Sequence, residues 1–191
     1  MRRFLGLFSL LLFSVQHQAF GGDLLPTSRS IGAPAGFASA CAKYGWLCRP
    51  KGKDTVDGHA AMQLLLQVTR SVNGRISPAN DSKAASNSDV WTLPVTGRGD
   101  CEDYALQKMK DLIDAGFPST RLALSVVIGP RNQNHVVLIA RLDGTDYVLD
   151  NLNNSVKPWR HTPYTYLATQ DFKARSAWRV TLAGPRAGEF S

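Results

Sequence analysis

The sequence predicts an α+β domain in which helices come first and an antiparallel sheet follows. Three observations predict it. Two stretches before residue 116 carry apolar residues at helical spacing, and after residue 121 the pattern changes to short β-type runs. Between two of those runs stands Asp143-Gly144, a two-residue hairpin signal. With 191 residues, 43% of them apolar and 19% charged, the chain can bury one core of its own and is not expected to be disordered.

Residues 1–21 are set apart from that domain. Arg2 and Arg3 precede an apolar run over 4–13, too short to span a bilayer, and small and polar residues follow up to Gly21. This is the layout of a cleaved secretory signal peptide, which leaves 22–191 as the domain. Residues 22–36, rich in Gly, Pro and Ser, are expected to be extended. Residues 37–48 are expected to form a short helical turn around Cys41 and Cys48. From Asp57, a plausible N-cap, Ala61, Leu64, Leu65, Val68 and Val72 repeat with helical period, and Asn73-Gly74 should stop that helix. The polar stretch 77–89 reads as a surface loop. A second helix over 101–115, capped by Gly99 or Asp100, buries Ala105, Met109, Leu112 and Ile113 and ends at Gly116 and Pro118. Strands are expected over 122–128, 135–142 and 147–149, and the tail should add one more around Trp178, Arg179 and Val180.

Loss of the first 21 residues takes the formal charge from +7 to +5. The remaining basic residues are scattered, without the Lys/Arg cluster and interleaved aromatics of a nucleic-acid face, so no nucleic-acid partner is expected. Export also bears on the three cysteines. Cys41 and Cys48 close a short loop where an oxidising compartment favours a disulfide, two buried thiols being the alternative. Cys101 is then the odd thiol.

Chemistry concentrates at Gly99-Asp100-Cys101-Glu102-Asp103-Tyr104, at His135 and at Asp150. A helix start lowers the pKa of a cysteine, which must be a thiolate to attack. The carboxylates of Asp100, Glu102 and Asp103 work against this, so a histidinium or a bound cation must offset them. The hairpin relates the other two residues. If Asp143-Gly144 is the whole loop, Asp150 falls opposite Val137, on the face that also carries His135, because strand side chains alternate. Asp150 could then orient the imidazole while His135 accepts the thiol proton. The three acids could alternatively hold a hard cation such as Ca²⁺ or merely complement the helix dipole. Trp91 could assist an oxyanion, although a core role is the ordinary expectation for a tryptophan.

The segments Gly97-Arg98-Gly99-Asp100-Cys101-Glu102-Asp103-Tyr104-Ala105, Asn134-His135-Val136-Val137-Leu138 and Tyr147-Val148-Leu149-Asp150-Asn151-Leu152 resemble the bacterial transglutaminase-like cysteine peptidase family, which includes the LapG-type periplasmic proteases. Phe37 with Cys41 and Cys48, Val72-Asn73, Asp89-Val90-Trp91 and Trp159 support the likeness, which covers roughly residues 34–182. The resemblance implies a papain-like, transglutaminase-type core with Cys101, His135 and Asp150 as the triad. It also implies calcium beside the nucleophile, at Asp100, Glu102 and Asp103. Its biology implies a protein substrate such as a surface adhesin, and restraint by an inner-membrane receptor for cyclic di-GMP. One departure is the link from Trp91-Thr92-Leu93-Pro94 to Gly97, which is short and lacks an acidic residue expected there.

Three functions follow as expectations. The first is an exported, periplasmic or secreted cysteine endopeptidase working through a thioester acyl-enzyme. The second is a protein acyl transferase, since an amine can capture the same thioester. The third is a non-catalytic, calcium-dependent binding module.

Overall fold

The computed structural model describes residues 22–49, 57–79 and 90–190. The expected signal peptide and the 80–89 part of the expected surface loop lie outside the described residues. Among the described residues the elements run β1 (Ser30–Ile31), α1 (Phe37–Lys43), α2 (Gly45–Cys48), α3 (Gly58–Arg75), β2 (Ser77–Pro78), β3 (Arg98–Gly99), α4 (Cys101–Asp114), β4 (Leu122–Ile128), β5 (Asn134–Leu142), β6 (Thr145–Leu149), β7 (Lys157–Pro158), β8 (Thr165–Gln170) and β9 (Trp178–Ala183). Seven strands form one sheet in the order β1-β9-β8-β4-β5-β6-β7, and every pairing in it is antiparallel. The fold class is the expected α+β.

The helices start and stop for local reasons. Asp57 caps α3 by accepting the backbone N–H groups of His59 (3.0 Å) and Ala60 (3.1 Å). α3 buries Ala61, Leu65, Val68 and Val72, the face its spacing predicts. It does not stop at Asn73-Gly74, as the sequence suggests, but continues to Arg75. Tertiary partners hold that last turn. Asn73 donates to the carbonyl of Asp150 (2.9 Å), and Arg75 pairs with Asp111 of α4. α4 ends in a Schellman arrangement: Phe117 N–H bonds the Leu112 carbonyl (2.8 Å) and Gly116 N–H that of Ile113 (3.0 Å). Gly116 at φ 89° supplies the left-handed residue this needs.

Two expectations about the loops and tail change. Ser77 and Pro78 form β2, which pairs in parallel with β3. The bonds Ser77 N–H to Gly97 carbonyl and Ala79 N–H to Gly99 carbonyl, both 2.8 Å, therefore fix the backbone just before Cys101. The tail contributes two long strands, β8 and β9, rather than one.

Two cores lie against the sheet. Val136, Leu138, Ala140 and Leu142 of β5 join the larger one with the buried residues of α1, α3 and α4. Val137 and Ile139 join the smaller one with Val148, Trp159, Tyr164 and Tyr166. This alternation makes β5 buried on both faces. Near α1, Phe37, Trp91 and Trp178 pack edge to face, with centroids 5.2–6.2 Å apart. Trp91 is thus a core residue, the ordinary role for a tryptophan. Cys41 and Cys48 form a disulfide joining α1 to α2.

Candidate active site

The β5–β6 hairpin builds one side of the site. Asp143 (φ 49°) and Gly144 (φ 76°) form its two-residue turn, with both left-handed values that a type I′ turn demands. Leu142 accordingly faces Thr145, and Leu138 faces Leu149. The next residue, Asp150, comes level with Val137 and so reaches the side of the sheet that carries His135. The two side chains meet there: His135 Nε2 lies 2.8 Å from Asp150 Oδ1, and both residues are buried.

Tyr164 completes that side. Its hydroxyl donates to Asp150 Oδ2 at 2.5 Å, and its ring lies 5.5 Å from the imidazole. Leu152 N–H donates to Asp150 Oδ1 at 3.1 Å. Burial pushes the Asp150 carboxyl upward, but the hydrogen bonds from His135 and Tyr164 outweigh it and hold the group below its ordinary value. Asp150 is therefore ionised at neutral pH. An ionised partner calls for the Nε2–H tautomer of His135, which leaves the lone pair on Nδ1. Tyr164 escapes sequence reasoning, because it is placed by the path of the chain into β8 and no short motif announces it.

Cys101 is the first residue of α4, half-buried. Its thiol donates to Glu102 Oε2 at 3.1 Å and makes no hydrogen bond to His135. Burial, then the charge and the hydrogen bond of Glu102, push the thiol far above its usual value, against the pull of a Val136 N–H. The neighbouring acids thus oppose a thiolate. Glu102 is itself affected: burial and the nearby Asp100 push its carboxyl up to about 8, against the pull of its bond to the thiol.

The three acids separate. Asp100 takes the N-cap position of α4 without a side-chain cap bond, and its charge acts on both Cys101 and Glu102. Asp103 serves the fold, with Oδ1 accepting the Thr92 N–H at 2.9 Å. Its side chain lies so close to Gly99 that a Cβ there would come within 2.7 Å of it. Among the described residues no three Asp, Glu, His or Cys side chains converge as a ready cation cage. Asp100 and Glu102 offer adjacent hard oxygens whose mutual repulsion a cation would relieve. The short link over 94–97 is a tight turn, closed by Gly97 N–H to the Pro94 carbonyl (2.9 Å). It leaves Val95 96% exposed beside an exposed Thr96, so this segment adds no acidic side chain at its tip.

Two further histidines stay out of the His135–Asp150 pair. His59 is exposed at the start of α3, and His161 is exposed on the rim of a cavity of about 140 Å³ beside Asp150 and Tyr164. That cavity, also lined by Leu152 and Lys157, is smaller than the ~300–1,000 Å³ typical of small-molecule sites.

Comparison with known proteins bears on the family. LapG of Legionella pneumophila, in a calcium-bound structure, is 25% identical with a TM-score of 0.50, over 56% of this chain and 63% of that one. An EGTA-treated structure of LapG gives 25% and 0.50, over 57% and 62%. The chain thus matches somewhat less than two thirds of the LapG length. No curated protein matches. The family model of the bacterial transglutaminase-like cysteine proteinases matches residues 27–186, nearly the whole described chain, and the chain belongs to that family.

Proposed function

We propose that the chain is an exported cysteine endopeptidase with Cys101 as nucleophile, His135 as general acid and base, and Asp150 as the group that orients His135. The buried His135–Asp150 hydrogen bond of 2.8 Å carries this reading, because it presets the imidazole tautomer that a thiol nucleophile requires. His135 Nδ1 takes the Cys101 proton as the sulfur attacks a peptide carbonyl. The tetrahedral intermediate collapses, the C–N bond breaks, and His135 returns the proton to the leaving amine. Water, deprotonated by His135, then attacks the thioester and releases the acid and the thiol. The Cys101 N–H at the helix start is one donor for the oxyanion. Tyr164 keeps Asp150 in its charged orientation throughout.

A calcium ion fits the adjacent carboxylates of Asp100 and Glu102, with Asp103 left to its bond with Thr92. The ion would supply positive charge next to the nucleophile, where the protein itself supplies negative charge. The calcium-bound and EGTA-treated structures of LapG support this. The substrate is a protein of the cell surface or periplasm, a large adhesin being the leading candidate. A membrane receptor that restrains the enzyme is the corresponding regulator. The leader-like residues 1–21 favour the periplasm or export.

The test is cleavage of candidate surface proteins by the purified chain, with calcium or with EGTA, read by mass spectrometry of the fragments. Discrete fragments lost in Cys101→Ala and His135→Ala, and reduced at least tenfold by EGTA, are expected. Cross-linked products without fragments would instead establish acyl transfer. Calcium-dependent binding that survives Cys101→Ala, with no new product, would establish the binding module.

A further inference from the structure

α4 carries another reactive side chain that the mechanism above does not use. Lys108 is wholly buried, and its Nζ has no hydrogen-bond partner. Cys101, Ala105, Lys108 and Leu112 follow at i, i+4, i+7 and i+11, which is one face of the helix. Lys108 therefore lies two turns, ~10 Å, along α4 from the thiol-bearing residue. Its amine is 5.3 Å from the centroid of the Tyr104 ring. A methionine or leucine would fill such a place without the cost of burying an amine, so packing alone does not account for this residue.

The surroundings offer an account. The charge of Asp150 acts on the Lys108 amine. Two amide oxygens next to Asp150, Asn73 Oδ1 and Asn151 Oδ1, are also buried without partners. Asn73 is fixed there by its Nδ2 bond to the Asp150 carbonyl at 2.9 Å, and Asn151 is the next residue in the chain. The charge of Asp150 thus acts on an amine with N–H groups to give, while two amide oxygens able only to accept lie beside that aspartate.

We infer that Lys108 is a positioning residue of the Cys101 centre, whose buried amine, with Asn73 and Asn151, steadies the Asp150 segment and favours the charged, His135-bound form of Asp150. This rests on the triad reading above. Burial lowers the Lys108 pKa to about 7, with Asp150 opposing the fall. The amine therefore changes charge in the neutral range. The titratable groups facing it are Asp150 at the end of β6 and Tyr104 on its own helix, with His135 of β5 beyond the aspartate.

The experiment is the rate of Cys101 alkylation by iodoacetamide between pH 5.5 and 9, with EGTA present. It is read by mass spectrometry for the wild type, Lys108→Met and Asn73→Ser, alongside thermal melts and an NMR titration of the His135 imidazole. Lys108→Met should melt no lower than the wild type, because it replaces a buried amine by an apolar chain of similar length. Its alkylation at pH 7 should fall at least fivefold, and its inflection and the His135 titration should each move by half a pH unit or more. Asn73→Ser should move both in the same direction by less. Wild-type rates and titrations in a folded Lys108→Met would overturn the inference. If Lys108→Met does not fold, an unchanged His135 titration in Asn73→Ser overturns it. A wild-type Cys101 that reacts no faster than free cysteine in a parallel run with calcium as well as in EGTA, whatever the variants do, would remove the triad reading and this inference with it.

Discussion

At the residue scale the site depends on how Asp150 is kept charged inside the protein. Its folded pKa is depressed, so it adds stability above its unfolded value of about 3.9, and that stability is lost as the pH falls through the folded value. Tyr164→Phe removes one of the bonds responsible. The variant should lose about 1–3 kcal/mol in urea unfolding at pH 7. The loss should shrink as the pH falls through the folded value, below which the carboxylate is protonated in both states. Peptidase activity of this variant should fall about tenfold through misorientation of His135. The His135–Asp150 pairing is legible in the sequence because it depends on two local rules, the type I′ turn at Asp143-Gly144 and the alternation of strand faces. Tyr164 and Lys108 are not legible there. Tyr164 arrives through the path of the chain before β8, and Lys108 resembles any lysine of an amphipathic helix until the packing buries it. The sequence presents the three acids as one group, but the backbone turns Asp103 toward Thr92, which no count of carboxylates could reveal.

At the scale of elements the junction of β3 with α4 decides where the thiol stands. Gly99 is packed so closely against Asp103 that a methyl group would meet its side chain at 2.7 Å. Gly99→Ala should therefore destabilise the fold by about 1–3 kcal/mol and shift the first turn of α4. Thermal melts and the Cys101 alkylation rate would check this together, and both should fall. The extra turn of α3 belongs to the same scale. Local signals in Asn73-Gly74 favour a stop, yet the bonds of Asn73 to the Asp150 segment and of Arg75 to Asp111 outweigh them. The strands β2 and β3, two residues each, carry no periodic pattern that a sequence could display. They form only when 77–79 is brought alongside 97–99.

At the scale of the whole molecule, two cores back the seven-stranded sheet, and the site lies where the start of β5 meets the start of α4. The Cys41–Cys48 disulfide holds α1 to α2 on the helical side. Replacing both cysteines by alanine should cost about 2–3 kcal/mol, or about 5–10 °C in melting temperature. Cys101 reactivity should be left unchanged, because the disulfide does not touch the site. Among the described residues no helix is long and apolar enough to cross a membrane.

The central claim is that His135 and Asp150 activate Cys101 once the carboxylates beside it are neutralised. Its most direct measurement is the rate of single-site labelling of Cys101 by a thiol-reactive peptidase probe, followed by mass spectrometry in calcium and in EGTA. The wild type should label at least tenfold faster in calcium, and His135→Ala should abolish the enhancement. Above about pH 8, where the Glu102 carboxyl is ionised, Glu102→Gln removes a charge that opposes the thiolate, and it should label faster than the wild type in EGTA and respond little to calcium. Labelling at the rate of free cysteine in both solutions, unchanged by His135→Ala, would contradict the claim.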